Sequence, residues 1–403
     1  MAEKKVVRNS KRPQRGGSDI QRRVSKVASG WHEPNYTLIG ILAVLVVFGL
    51  VMLSSASSVA GFEKFGDPNY FVKHQILYGV IVGVPLLWVI SKIDYHLWKK
   101  YAFPMMLVSI LLLFLVFVPG FSLELLGAKR WIGIGGISFQ PSELVKITFL
   151  IYLAVWLEAR EKEIHDYSSG LMPFLIMIGF LVFMIAGVQR DLGTMIVIGV
   201  ISVSVYFVAG APWRHLMIVL GIGLTGITFF IKILPMIVPS FSYRANRLTV
   251  FLNPDLDPLG IGYHINQALL AIGSGGILGL GLGHSRQKFN YLPEASGDSI
   301  FAVIAEEMGF LISAGLVVLF LFFMIEGYKI AKNAPDVYGK VIATGITTWI
   351  IFQAAVNIMA MLSLLPLTGI PLPFISYGSS SLVTLFVAMG ILINISRQTK
   401  VTK

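Results

Sequence analysis

Four stretches of this chain, Tyr36 to Phe62, Tyr101 to Leu123, Leu192 to Trp213 and Val341 to Leu382, contain no Lys, Arg, Asp or Glu. About 20 consecutive apolar residues suffice to cross the hydrocarbon core of a bilayer. A backbone placed there must satisfy its own N–H and C=O groups, which restricts such segments to helices or closed barrels. Several spanning helices follow. Of the 403 residues, 55% are hydrophobic and 13% charged, against roughly 25% charged in soluble domains.

Ten spans are expected, at roughly 37–58, 72–91, 101–119, 141–157, 170–187, 192–210, 215–233, 299–325, 341–362 and 377–395. The fold class is therefore an all-α polytopic membrane protein. The net charge of +11 is distributed as the positive-inside rule requires, rather than as a nucleic-acid footprint. With the N-terminus inside, the inner segments collect 21 of the chain's 32 Lys and Arg, and an even number of spans returns the C-terminus to the same side. Residues 1–36 hold nine Lys or Arg among Pro, Gly and Ser, and read as a disordered basic cytoplasmic tail facing anionic headgroups, with no cleavable signal peptide before it. Residues 37–397 form one transmembrane domain, without an internal repeat, and 398–403 a short cytoplasmic tail. The chain has no cysteine, which excludes disulfides, thiolate metal sites and a cysteine nucleophile.

Ile265 to Gly283 is apolar enough to imitate an eleventh span. Counting it would reverse everything after it and move the basic segments around Lys329 and Lys403 outside. Its glycines suit a re-entrant or interfacial segment buried in protein. The segment from about 234 to 298 is then one long extracellular loop between helices 7 and 8. Loops of that length are commonly functional.

Charges at membrane depth cost about 2.5–3.5 kcal/mol each on insertion scales, so the few present are candidates for function. Glu143 and Lys146 lie one turn apart near the outer end of the fourth span, and Glu306 and Glu307 two turns into the eighth. Pairing of Glu143 with Lys146, or complementation of the helix N-terminus, is the alternative to a functional role. Lys129-Arg130-Trp131 and Gln189-Arg190-Asp191 place cations on the outer side, where the charge bias disfavours them. An anionic headgroup or diphosphate would account for them, as would interfacial snorkelling. Helices opening at Pro141, Leu192 and Ser299 add N-terminal donors on that side. Polar chemistry is densest from Ser285 to Asp298, where Asp298 can serve either as a helix cap or as a general base. Gly378-Ser379-Ser380-Ser381 reads as close helix packing rather than a nucleophile site. No phosphate-cradling glycine loop, H-E-x-x-H or paired His cluster occurs, so nucleotide-driven pumping and zinc hydrolysis have no support.

From about residue 35 to 400 the chain resembles the SEDS (shape, elongation, division and sporulation) family of peptidoglycan glycosyltransferases, with wording closest to its FtsW/SpoVE branch. The resemblance rests on Lys129-Arg130-Trp131-Ile132, Gln140-Pro141-Ser142-Glu143, Asp191-Leu192-Gly193-Thr194, Asn253-Pro254 with Asp257-Pro258-Leu259-Gly260, Ser285-Arg286-Gln287-Lys288-Phe289, Tyr291-Leu292-Pro293-Glu294 and Pro373-Phe374-Ile375-Ser376-Tyr377-Gly378. It implies a polymerase of lipid II in which Asp298 is the catalytic base and undecaprenyl diphosphate leaves with inversion. Lys129, Arg130, Trp131, Arg190 and Lys288 are then the candidates for substrate and diphosphate binding. Glu143, Lys146, Asp191, Glu294 and Glu306 are the candidates for shaping the cavity. It also implies a class B penicillin-binding protein as partner, alongside other division or elongation proteins and membrane lipid, with no nucleic acid. No metal site is read from the sequence, although a divalent cation could bridge Asp298 or Glu294 to the diphosphate. The chain departs from the family pattern at Arg190, Ser299 and Ser379. The rival readings are a flippase for the same lipid-linked precursor and a non-catalytic scaffold. A flippase would tolerate Asp298→Asn better than a polymerase.

Overall fold

The computed structural model describes residues 31–118, 120–125, 128–134, 137–189, 191–229, 236, 250–251, 253 and 256–399. Among the described residues the apolar runs are largely helical. The helices are α1 (Tyr36–Ala56), the short α2 (Ser58–Phe65), α3 (Tyr70–Lys92), α4 (Leu97–Leu115), α5 (Pro141–Ala159) and α6 (Tyr167–Gly187). After them come α7 (Leu192–Val208), α8 (Trp213–Thr228), α9 (Ile261–Ser274), α10 (Ile300–Lys332), α11 (Val337–Met361) and α12 (Ser379–Ser396). Among the described residues seven of these, α1, α3, α4, α6, α10, α11 and α12, are long and apolar enough to cross a membrane. The other three places expected to hold spans are occupied by α5, α7 and α8, of 19, 17 and 16 residues.

At the outer end of α4 the connection to α5 carries a small antiparallel sheet in the order β1-β2-β3, with β1 at Ser122–Leu125, β2 at Ala128–Ile134 and β3 at Ile137–Phe139. Ile132 pairs with Phe139 and Ile134 with Ile137. The reason is local: β2 and β3 are rich in the β-branched and aromatic residues that suit a pleated surface.

Hydropathy alone does not sort these helices into inside and outside. In its most apolar 18-residue stretch α11 has 83% of its residues buried and it carries Thr344, Thr347, Thr348, Gln353 and Asn357 inward, whereas the corresponding stretch of the more apolar α10 has 28% buried. Lipid is as good a solvent for Leu as the core is, so apolar faces stay outside and polar groups are gathered where partners exist.

α10 is broken at Gly309, which has φ 74° and ψ −176°. The glycine-rich segment after α9 repairs the break. Leu280 N and Gly281 N donate to the carbonyls of Glu306 and Glu307, while Phe310 N and Leu311 N donate to Gly276 O and Ile277 O. The segment from Ile265 to Gly283 is therefore packed on α10, with its irregular backbone satisfied by protein. At the inner end, the tail boundary expected at 36 falls within structured chain: His32 N donates to Arg397 O, and Asn35 Nδ2 donates to Glu326. The remainder of that tail, 1–30, and residues 400–403 lie outside the described residues.

Candidate active site

Asp298 is half-buried, one residue before the cap of α10, where three outer segments meet. Behind it, the turn from Glu294 is closed by Gly297 N and Ser299 N donating to Glu294 O. Beside it, Ser376 Oγ donates to Gly297 O at 2.7 Å, and Tyr377 N donates to Ser296 O at 2.9 Å. Below it, Asn357 Nδ2 donates both to Asp298 O (2.7 Å) and to Ile370 O (2.8 Å). Gly369, at φ 70°, keeps the next segment close: a Cβ there would stand 3.8 Å from Asp298 Oδ2. Asn290, Glu294 and Phe374, all non-glycine residues in these segments, have positive φ. Such backbone costs of order 1–3 kcal/mol per residue and concentrates at functional sites.

Two further titratable groups accompany Asp298. Loss of water around the Glu294 carboxyl, and then the negative charge of Asp298, raise its pKa above the ordinary carboxylate range, against smaller opposing effects of Lys64 and His264. His264 Nε2 and Ser299 Oγ are 2.6 Å apart, and Ser299 Oγ lies 3.5 Å from Asp298 Oδ1. A carboxylate pair in which one member is pushed toward neutrality is the usual arrangement for proton transfer near neutral pH.

A buried polar ladder connects this centre to the fourth expected span. On α11, Trp349, Gln353 and Asn357 recur every four residues, which puts them on one face. Trp349 Nε1 donates to Gln353 Oε1 at 2.8 Å, and Gln353 Nε2 donates to Pro371 O at 3.0 Å. Lys146 Nζ joins the ladder at 3.4 Å from Gln353 Oε1, lies 4.7 Å from the Trp349 ring centroid, and forms a 2.7 Å ion pair with Glu143. Both charges are buried. The pairing expected for Glu143 and Lys146 is present, and through Gln353 it reaches the loop that Asn357 fastens to Asp298.

The outer cations converge in part. Arg130, on β2, donates from Nε to Gln189 O at 3.4 Å, and Trp131 is half-buried beside it. Asp191 caps α7 by accepting from Thr194 N (3.1 Å) and Thr194 Oγ1 (2.9 Å), and Gln140 Nε2 approaches it at 3.5 Å. Its role is to fix the helix start. A Cβ at Gly193 would meet Ile370, so this helix end abuts the loop beside Asp298. The Lys129 side chain and the whole of Arg190 lie outside the described residues.

Lys288 is placed differently from expectation. It is 6% exposed, and its ammonium donates to Glu307 Oε1 (2.9 Å), Ser55 Oγ (2.9 Å) and Gly283 O (2.7 Å). With three donors committed, it ties the outer loop to α1 and α10 instead of reaching a diphosphate. Glu306 likewise faces the loop rather than an open cavity: it accepts from Ser285 Oγ and from Arg286 N at 2.9 Å. Sequence reasoning missed Gln353, Asn357, His264 and Lys64. The first two carried a signal, because polar residues four apart in a charge-free run have to find partners inside. Among the described residues no group of three or more His, Asp or Glu is arranged to hold a metal ion. The divalent cation that the sequence allows would depend on Glu294, Asp298 and substrate phosphate oxygens, a ligand set that suits Mg²⁺.

The family described as cell cycle protein, FtsW/RodA/SpoVE, matches residues 36–401. The stage V sporulation protein E of Bacillus subtilis is 41% identical over 91% of this chain and 98% of its own length. The probable peptidoglycan glycosyltransferase FtsW of Geobacter sulfurreducens is 40% identical over 88% of this chain and 93% of its own. Among solved structures, a chain of a peptidoglycan synthase complex that coordinates polymerization and crosslinking superposes with a TM-score of 0.72 at 28% identity, covering 91% of this chain and 98% of that one. The rod shape determining protein RodA of Thermus thermophilus gives a TM-score of 0.64 at 26% identity, covering 92% and 98%.

Proposed function

Since the chain belongs to the FtsW/RodA/SpoVE cell cycle protein family, we propose that it polymerises lipid II on the outer face of the cytoplasmic membrane, with Asp298 as general base. It is a peptidoglycan glycosyltransferase and a multi-pass membrane protein. In the proposed step the Asp298 carboxylate takes the proton of the acceptor's GlcNAc 4-hydroxyl as that oxygen attacks C1 of the donor MurNAc. The new C1–O4 bond forms as the bond from C1 to the diphosphate oxygen breaks, with inversion, and undecaprenyl diphosphate leaves with the electron pair. The observation that carries this assignment is the fixing of a half-buried Asp298 where three outer segments meet.

Arg130, with Lys129 and Arg190 from the same two connections, is assigned to the diphosphate, where charge develops as the bond breaks. Trp131 would flank it. Glu294, whose carboxyl is raised above the ordinary carboxylate range by loss of water and by the charge of Asp298, would in its protonated form donate a hydrogen bond rather than compete for the acceptor's proton. Glu143, Lys146 and Glu306 act at a distance, holding the segments that carry the site. A divalent cation bound with substrate would supply further neutralisation of the diphosphate; no step is assigned to it. By family relation the transpeptidase partner is a class B penicillin-binding protein, in keeping with the synthase complex that the chain resembles.

The test is polymer formation from labelled lipid II by the purified protein with its partner. Asp298→Asn, at matched folding and partner binding, should lower the rate by about 10²–10⁴, the usual contribution of a positioned base. Undiminished polymer would remove Asp298 from the chemistry. Lack of polymer from both proteins, with precursor transport retained, would favour the flippase reading instead.

A further inference from the structure

A cavity of about 550 Å³ lies at the cytoplasmic end of the bundle, between the segment leading into α1, the end of α3 and the end of α12. Its polar side carries two cations, each resting on a tryptophan. Lys92 Nζ is 5.9 Å from the centroid of the Trp88 ring, and Arg397 Cζ is 5.2 Å from that of Trp31. Its other side is aliphatic, formed by Ile39, Leu42 and Leu87. Glu33 is the one carboxylate among the lining residues, so two positive charges face one negative.

Two donors here lack acceptors. Among the described residues, the buried Trp31 Nε1 and Arg397 Nε hydrogen-bond to nothing. Leaving such a group unsatisfied costs about 1–3 kcal/mol. The helices that meet here end at the same level, α3 at Lys92 and α12 at Ser396, and α1 begins there at Tyr36. Trp88 and Tyr36 are each 63% exposed, as expected of aromatic rings at a membrane interface. The N-terminus of the 21-residue α1 also opens here, adding a positive dipole end.

We propose that this groove is a binding site for an anionic phospholipid of the inner leaflet. The phosphate lies between Lys92 and Arg397, its oxygens supply acceptors for the donors around Trp31, and an acyl chain runs along Ile39, Leu42 and Leu87. Snorkelling cations alone would need neither a concave apolar wall nor two tryptophan-stacked positions converging on one cavity. The chain's own segment 1–30 is a poor occupant, because its nine Lys and Arg have the same sign as the groove. The site is remote from Asp298 and independent of the catalytic assignment.

The experiment is native mass spectrometry of the detergent-purified full chain titrated with phosphatidylglycerol or phosphatidylcholine, alongside thermal unfolding with each lipid. The wild type should retain one phosphatidylglycerol preferentially and gain thermal stability from it. Lys92→Gln/Arg397→Gln should bind it at least about tenfold more weakly while unfolding as the wild type does without lipid. Should that double variant misfold, Trp31→Leu takes its place, with the same weakening expected. Equal retention of the two lipids, or undiminished phosphatidylglycerol binding by the folded variant, would overturn the proposal. So would phosphatidylglycerol binding that emerges only after deletion of residues 2–30, since the tail would then be the occupant.

Discussion

At the residue scale, this site is governed by how few charges the bundle buries and by the partners each of them finds. Glu143 and Lys146 are the sharpest instance, since a buried ion pair is stable only while both members and their auxiliary bonds remain. Lys146→Met alone should cost roughly 3–5 kcal/mol, because it leaves the Glu143 carboxylate buried and unpaired. The double variant Glu143→Gln/Lys146→Met should be less unstable than the sum of the single changes. Thermal unfolding of the three variants in one detergent checks this, and strict additivity would show that the pair contributes nothing as a pair. Lys288 teaches a complementary lesson. Its place in a motif beside Asp298 suggested contact with substrate, yet its donors reach Glu307, Ser55 and Gly283. Sequence adjacency to a reactive residue does not determine where a long side chain finds its acceptor.

At the element scale, the break in α10 and the cross-tie at the inner membrane face make separate predictions. A Cβ at Gly309 would stand 2.3 Å from Gly279 N, in a backbone conformation that L side chains rarely adopt. Gly309→Ala should therefore lower the melting temperature and loosen the loop leading to Asp298, reducing polymerisation as well. Unchanged stability would show that the kink is not required. On the cytoplasmic side, His96 bridges Asp336 at 2.6 Å and Asp94 at 2.7 Å, joining the turn between α3 and α4 to the start of α11. Those hydrogen bonds, Asp336 first, raise its pKa to about 9. For Asp336, burial favours the neutral acid, but hydrogen bonds from His96, Gly339 N and Tyr95 prevail and hold the pKa down to about 2. The His96 contribution is complete below its unfolded pKa of about 6.5 and is lost as pH rises through about 9. The Asp336 contribution is complete above about 4 and is lost as pH falls toward 2. His96→Gln should consequently destabilise the protein more at pH 6 than at pH 10; a melting-temperature difference that does not vary with pH would contradict the assignment.

At the scale of the whole molecule, orientation is testable because the chain has no cysteine of its own. A single cysteine at Asn290 should react with an impermeant maleimide in intact cells, and one at Asn333 only after permeabilisation; the reverse labelling would invert the topology. The charge-free runs were enough to locate the apolar helices, because burying charge in lipid is so costly that it leaves a signature in the sequence itself, and the distribution of Lys and Arg predicts the orientation that this labelling tests. The ordered motifs were enough to mark the family, and they nominate Asp298 as the base proposed above. Other features depended on tertiary contacts. Which helices stand inside could not be read from hydrophobicity, since lipid and protein core reward the same side chains, and the more polar α11 proved the more buried. The glycine-rich repair of α10 and the ladder from Lys146 to Asn357 each join residues distant in sequence. Hydrogen bonding is directional and depends on contact, so its partners were decided only when those segments came together.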